Sequence, residues 1–306
     1  MDSGLNKEVV VSSHRTFLDP TVIAKLSSIS LKARYIVEGT IAGLHKSPYH
    51  GFSVEFSEHR EYVEGDEIRH IDWKLYGKSD KYYVKQFEEE SNLRCYLLLD
   101  SSNSMGYSSD GKMTKLEYGS YVAASLAYLM VKQGDAVGFM TFNEDIADFV
   151  PPRSTLSHIK VIHDKLENLK PSKKTNISKA LTDLAKNIKR RGLIIVISDL
   201  FDDPKQVLDS LKHFRYRKHE VVVLHILDTA ELEFPFSDFI LFEDMESDLK
   251  VMADSKVIRN EYLSRIRAFI DELRDNCRKN RIDYALFNTS TPLDVTLATY
   301  LLRRNK

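Results

Sequence analysis

Leu93-Arg94-Cys95-Tyr96-Leu97-Leu98-Leu99-Asp100-Ser101-Ser102-Asn103-Ser104 decides the architecture of this 306-residue chain. A short apolar run stops abruptly at an acid and three serines, as a strand buried on both faces does when it hands the chain to a polar loop. Downstream, Leu116–Gln133 carries apolar residues at helical spacing, from Leu116 through Val122, Ala123, Leu126 and Ala127 to Met130. Ala136–Phe142 reads as a strand with Ile146–Val150 as its hairpin partner. Leu156–Leu169 and Ile177–Ile188 read as helices, and Leu193–Ile197 as a second wholly apolar strand. Pro204–Phe214 is a helix with proline in its first turn, Val221–Leu227 is another buried strand, and Tyr262–Cys277 is amphipathic. Tyr284–Phe287 and Leu293–Leu302 close the chain. Strands alternating with helices in this way predict an α/β, doubly wound, mostly parallel sheet covered on both faces. Ligands of such sheets sit beyond the carboxyl ends of the strands, which here means just after Leu99 and just after Ile197.

The first 91 residues differ in character. Pro20–Gly43 is helical in pattern, and His45–Glu90 is polar, aromatic and dense in charge. The expectation is an N-terminal helical and β-rich extension over residues 1–91, with Tyr82–Glu89 as a strand feeding the main sheet, and a main domain over residues 92–306.

Composition excludes several functions. Lys and Arg number 44 against 45 Asp and Glu, a net charge of −1, without the basic excess of a dedicated nucleic-acid binder. The two cysteines, Cys95 and Cys277, form no CxxC pair. A disulfide framework and a thiolate zinc site are therefore not expected, and a reducing compartment is. The longest apolar candidate, Tyr121–Val131, falls well short of the roughly 20 residues that span a bilayer. The N-terminus lacks the pattern of a signal peptide. The expectation is a soluble, cytoplasmic protein.

Three loops converge at the carboxyl edge. One brings Asp100, Ser102 and Ser104, one brings Thr175, and one brings Asp199. Carboxylates and hydroxyls without imidazole or thiolate suit a hard divalent ion such as Mg²⁺, and loop oxygens adapt to Mn²⁺ or Ca²⁺ as well. Asp-x-Ser-x-Ser followed by a Thr and a later Asp resembles the metal-ion-dependent adhesion site of von Willebrand factor A domains. The resemblance implies that Ser102, Ser104 and Thr175 bind the ion directly. It implies that Asp100 and Asp199 act through water, and that a carboxylate from a partner protein fills the open position.

The front segment adds to this. Arg60-Glu61-Tyr62-Val63-Glu64-Gly65-Asp66, Arg69-His70-Ile71-Asp72-Trp73 and Val84-Lys85-Gln86-Phe87-Glu88 precede the Asp100 motif. Together they resemble the bacterial DUF58 family, over about Gly39 to Arg303. That resemblance implies a von Willebrand A-like domain behind the front segment and association with a MoxR-type AAA+ ATPase. The expected function is a non-enzymatic, divalent-metal-dependent protein-interaction module, an adaptor or chaperone-like partner of such an ATPase, with no nucleic acid involved. The rival is a Mg²⁺-dependent NTPase or phosphohydrolase using the same acidic pocket.

Other signals have plainer readings. Gly106–Lys112 has the spacing of a phosphate-binding loop, but Met113 stands where the metal-binding Ser or Thr belongs. His45, His50, His59 and His70 show no zinc spacing. Arg60, Asp66, Arg69, Asp72 and Trp73 read as a network tying the front segment to the main domain. The basic run Lys212–His219 ends a helix, where cations complement the dipole. Asp202 and Asp203 read as helix caps before Pro204, and Cys95 and Cys277 as core residues.

Overall fold

A computed structural model describes residues 29–30, 33–34, 36–37, 59–61, 82–85, 93–142, 146–172, 177–245 and 249–304. The elements of the main sheet are β3 (Arg94–Asp100), β4 (Ala136–Phe142), β5 (Ile146–Arg153), β6 (Leu193–Ser198), β7 (Glu220–Leu227) and β10 (Asp283–Asn288). Their order across the sheet is β10-β7-β6-β3-β4-β5, parallel throughout except for the β4–β5 hairpin. The expected α/β, doubly wound, mostly parallel arrangement is what the chain adopts.

The alternation of side chains along each strand assigns the two faces. Cys95, Leu97 and Leu99 of β3, with Leu193, Ile195 and Ile197 of β6, belong to one buried cluster. Helices α1 (Lys115–Lys132), α2 (Leu156–Glu167) and α7 (Leu293–Arg304) pack on it through Leu116, Ile162 and Leu297. Tyr96 and Leu98, with Ile194 and Val196, belong to the other. That face is covered by α3 (Ile177–Asn187), α4 (Pro204–Tyr216) and α6 (Ser255–Lys279) through Leu181, Leu211 and Leu273. Cys95 and Cys277 are buried and unpaired, one in each cluster. Ile29, Ala33 and Ile36, on helical backbone, join the first cluster. Ser30 Oγ lies 2.6 Å from His163 Nδ1, and the Ile29 N–H donates to Glu167 at 2.7 Å.

Several expectations need correction. Tyr83–Lys85, β2, pairs antiparallel with β1 (His59–Glu61) in a separate two-stranded ribbon and not in the main sheet. A short helix, α5 (Thr229–Glu233), and a hairpin, β8 (Phe239–Glu243) with β9 (Lys250–Asp254), fill a stretch with no predicted element. Helix α6 begins at Ser255, not Tyr262, because the Asp254 side chain caps it by accepting from the Lys256 N–H. Asp66, Arg69, Asp72 and Trp73 of the expected network, with His45, His50 and His70, lie outside the described residues, as do the side chains of His59 and Arg60. Among the described residues, no helix is long and apolar enough to cross a membrane.

The two outer strands of the sheet are unlike. β5 carries Pro151 and Pro152, and its register against β4 shifts twice. Proline removes a ladder donor and bulges twist an edge away, both of which block further pairing. β10 is in unbroken register with β7 over six residue pairs and contains no proline.

Strand β6 approaches β3 so closely at its entry that a Cβ on Gly192 would collide with the Arg94 carbonyl oxygen. Gly192→Ala must displace that backbone. A destabilisation of about 1–3 kcal/mol is expected, read as a lower urea midpoint with unchanged m-value. An unchanged midpoint would show that the β3–β6 contact is looser than described.

Candidate functional site

Strand order reverses at β3. The chain moves from β3 to β4 on one side, then returns to β6 on the other. The carboxyl ends of β3 and β6 therefore flank the switch point where open α/β sheets hold ligands. Leu99 is in register with Ile197, so Asp100 and Ser198-Asp199 emerge side by side.

Asp100 is completely buried. Its Oδ1 accepts from the Ser102 N–H at 2.9 Å, and its Oδ2 from the Ser198 hydroxyl at 2.6 Å. These bonds close the loop onto the strand end. No cation partners Asp100 among the described residues. Burial, and then the neighbouring Asp199 carboxylate, push its acid up to about 7. Ser102 and Ser104 follow, with their Oγ atoms 2.9 Å apart. Ser104 opens a single turn of 3₁₀ helix, Ser104–Gly106, that raises it beside Ser102.

Asp199 is equally buried. The turn that carries it is strained. Leu200 has φ of 54°, a left-handed conformation that bulky residues avoid at a cost of about 1–3 kcal/mol. The Ser198 hydroxyl helps to hold that turn by accepting from the Leu200 N–H at 2.9 Å. His225 Nε2 donates to the Asp199 carbonyl at 2.8 Å, and the Tyr284 hydroxyl donates to Nδ1 at 2.6 Å. Those partners fix one neutral tautomer, and burial pushes the imidazole down to about 4.

The sequence reading missed the cation of this edge. Lys115 is completely buried, with Nζ 2.8 Å from Asp199 Oδ2 and 2.6 Å from Glu231 Oε1. Phe201 lies 4.8 Å beneath the ammonium. Burial alone would push Lys115 down, but Asp199 and Glu231 outweigh it and hold the lysine above its usual range. Glu231 in turn accepts from the Asp228 N–H at 2.7 Å, and Asp228 accepts from the Ser109 N–H at 3.3 Å. One signal for Lys115 was present: a lysine at the first position of a helix opposes the dipole there and needs a reason.

Of the five expected site residues, Asp100, Ser102, Ser104 and Asp199 come together at one edge. Thr175 lies outside the described residues. Ser172 forms a parallel bridge with Ser102, and its N–H donates to the Ser101 carbonyl at 2.8 Å, which sets Ser172 against the same loop. Asp203 caps α4 by accepting from the Lys205 and Gln206 N–H groups. Asp202 reaches the start of α3 instead, accepting from the Ser178 hydroxyl at 3.2 Å. Lys112, the candidate phosphate lysine, is exposed and pairs with Asp110 at 3.4 Å. In the basic run, His213 and Arg215 fall in the last turn of α4, the place expected of cations, while Arg215 donates to the His219 carbonyl and Arg217 to the Lys186 carbonyl in the last turn of α3. Among the described residues, no group of three or more His, Cys, Asp and Glu side chains could hold a metal ion, and the further oxygen donors they offer at this edge are the serine hydroxyls.

The loop has a neighbour across the chain. Asn103 Nδ2 donates to the Met245 carbonyl at 3.0 Å, which ties the end of the β8–β9 hairpin to the Ser102–Ser104 loop.

Known proteins resemble this chain in sequence and in structure. An uncharacterized protein of Mycobacterium tuberculosis is 25% identical over 232 residues, which cover 75% of this chain and 72% of the relative. BatB of Bacteroides thetaiotaomicron, a conserved hypothetical protein, is 17% identical with a TM-score of 0.47, covering 70% of this chain and 98% of that one. A von Willebrand factor type A protein of Catenulispora acidiphila is 10% identical with a TM-score of 0.42, covering 72% and 42%. The family described as "Protein of unknown function DUF58" matches residues 58–269, from the β1–β2 ribbon through the switch-point loops and into α6, and the chain belongs to that family.

Proposed function

We propose that this protein is a non-catalytic protein-interaction module whose carboxyl edge binds a divalent ion, Mg²⁺ in the first instance, and through it a carboxylate of a partner. The observation that carries the reading is the pair of Ser102 and Ser104 hydroxyls, 2.9 Å apart, in front of the buried Asp100. That spacing is a hydrogen bond. It is equally about 2.9–3.0 Å, the distance between adjacent ligands of an octahedral Mg²⁺ with ligands at roughly 2.1 Å. The donors are hard oxygens, and among the described residues the edge holds more carboxylates than cations. Asp100, Asp199, Asp228 and Glu231 lie at this edge, and Lys115 is in contact with Asp199 and Glu231. The residues therefore fit such an ion.

Ser102, Ser104 and Thr175 would hold the ion, with Asp100 and Asp199 behind them. The ion would supply an electrophilic position for an acidic side chain. Both oxygens of Asp199 are already engaged, by Lys115 and by the Phe201 N–H at 3.3 Å, which favours its acting through water. The exposed Lys112, paired with Asp110, gives the NTPase alternative no support. The family resemblance makes a MoxR-type AAA+ ATPase the proposed partner and the cytoplasm the proposed compartment.

Asp100→Asn tests the ion. The folded protein favours protonated Asp100, so the stability it contributes is present below the unfolded pKa near 4 and is lost as pH rises toward 7. At pH 7.5 without divalent ions, the Asn variant should therefore melt above wild type. Mg²⁺ should stabilise wild type, by about 2.7 kcal/mol at a hundredfold excess over Kd, and should leave the variant unmoved. An equal Mg²⁺ shift in both proteins would end the metal reading. Asn suits the test better than Ala, because its Oδ1 can still accept from the Ser102 N–H, whereas Ala would leave both that group and the Ser198 hydroxyl without a partner.

Lys115→Met tests the charge balance. It leaves Asp199 buried without its cation, and a loss of about 3–5 kcal/mol is expected in urea titration, while Lys115→Arg should keep part of the stability. Equal stability of the Met variant and wild type would show that the pair is not what holds this edge. The partner reading is checked by capture of a purified MoxR-type ATPase, which should fall at least tenfold when EDTA replaces Mg²⁺. Retention in EDTA would place the contact elsewhere.

A further inference from the structure

The open strand β10 does not stand alone. Helix α7 follows it after a short turn and runs back alongside, with Thr296, Thr299 and Arg303 on the helix face that looks along the strand. Between them lies a groove of about 380 Å³, lined by all six β10 residues and by this face of α7. Its walls are mixed in character. Ala285 and Leu286 are half-buried, and Val295 is 50% exposed at the rim.

Three observations specify an occupant. First, β10 pairs only with β7 among the described residues, so its second edge keeps backbone groups that an extended chain can satisfy. Second, the opposite edge of the same sheet is blocked by Pro151, Pro152 and two register shifts, whereas β10 has no such device. Third, one end of the groove has charge to offer. There Arg304 pairs with Glu220 at 3.1 Å, and Asp283 accepts from the Tyr300 hydroxyl at 3.1 Å. Arg303 is exposed and has no ion pair among the described residues. A strand edge walled by a helix is a geometry for β-strand addition, in which the backbone gives affinity and alternate side chains give selectivity.

We infer that the groove between β10 and α7 binds an extended segment of a partner protein, which joins the sheet as a further strand beside β10 and sets an acidic residue against Arg303. This surface is separate from the switch point and needs no ion. It would let one partner be held at two places on the same domain.

The test uses the full-length protein and a phage-displayed library of random octapeptides, followed by the enriched peptides as synthetic probes. Enriched peptides should lack central proline and carry Asp or Glu near one end. They should slow hydrogen exchange of the β10 amides at least tenfold at saturation. Val295→Arg, at an exposed rim position, should weaken binding at least tenfold with an unchanged circular dichroism spectrum. Arg303→Glu should abolish the preference for acidic peptides. Several results would overturn the proposal. They are failure to enrich any peptide, binding indifferent to Val295→Arg, and protection of amides away from β10. Protection of β10 in the peptide-free monomer would assign the edge to this chain's own residues. A wild-type dimer made monomeric by Val295→Arg would assign it to a second copy.

Discussion

Two adjacent parallel strands that both run into an aspartate, Asp100 at the end of β3 and Asp199 just after β6, create an electrostatic problem. β3 and β6 deliver Asp100 and Asp199 into surroundings where neither carboxylate meets solvent. Lys115 answers half of it. Its ammonium bridges Asp199 and Glu231, and each of those carboxylates is tied to a different part of the fold. Asp199 belongs to the turn after β6, with its backbone held by His225 from β7. Glu231 belongs to α5, whose capping box it completes through the Asp228 N–H. The start of α1, the end of β6 and the start of α5 are thus fixed relative to one another by a single buried cation. Placing a lysine at the start of α1 works against the helix dipole. The two carboxylates outweigh that cost, as the raised lysine shows.

The framework could be read from residues in order because its signals are local. Each central strand is a continuous apolar run, and its side chains divide between two helical layers by simple alternation. Asp100, Ser102, Ser104 and Asp199 could be placed together because strand ends in a parallel sheet share one edge. Lys115 could not be. Thr114-Lys115-Leu116-Glu117 looks like an ordinary capped and solvated helix start, and Glu117 does complete a capping box with Thr114. Only the packing of α1 against β6 turns that lysine inward. Glu231 was hidden in the same way, by its separation of 116 residues from Lys115. The β8–β9 hairpin was not predicted, although Phe239-Ile240-Leu241-Phe242 is an apolar run like those read as central strands. Its inner side chain Phe242 packs near Phe234, while Phe239 and Leu241 stay exposed.

Strain and burial gather at the carboxyl edge of the sheet. Leu200 with positive φ, the low imidazole of His225 and the raised acid of Asp100 lie within one cluster of loops. None of the three helps the fold by itself. Each is held in place by a neighbour, Ser198 for Leu200 and Asp100, and Tyr284 for His225. A region that spends stability in this way is where rigidity of side-chain position has been favoured over ease of folding.

The unlike edges of the sheet bear on how the molecule behaves at high concentration. A strand edge is a template for a second chain, and a sheet with two open edges can stack without limit into a fibre. Here the prolines and shifted register of β5 close one side. Any edge pairing between copies must then use β10 on both partners, related by a twofold axis, and it consumes both free edges in one step. Growth stops at two. The Pro151-Pro152 pair therefore sets an upper bound on self-assembly through the sheet, and leaves β10 available without making the chain prone to polymerise.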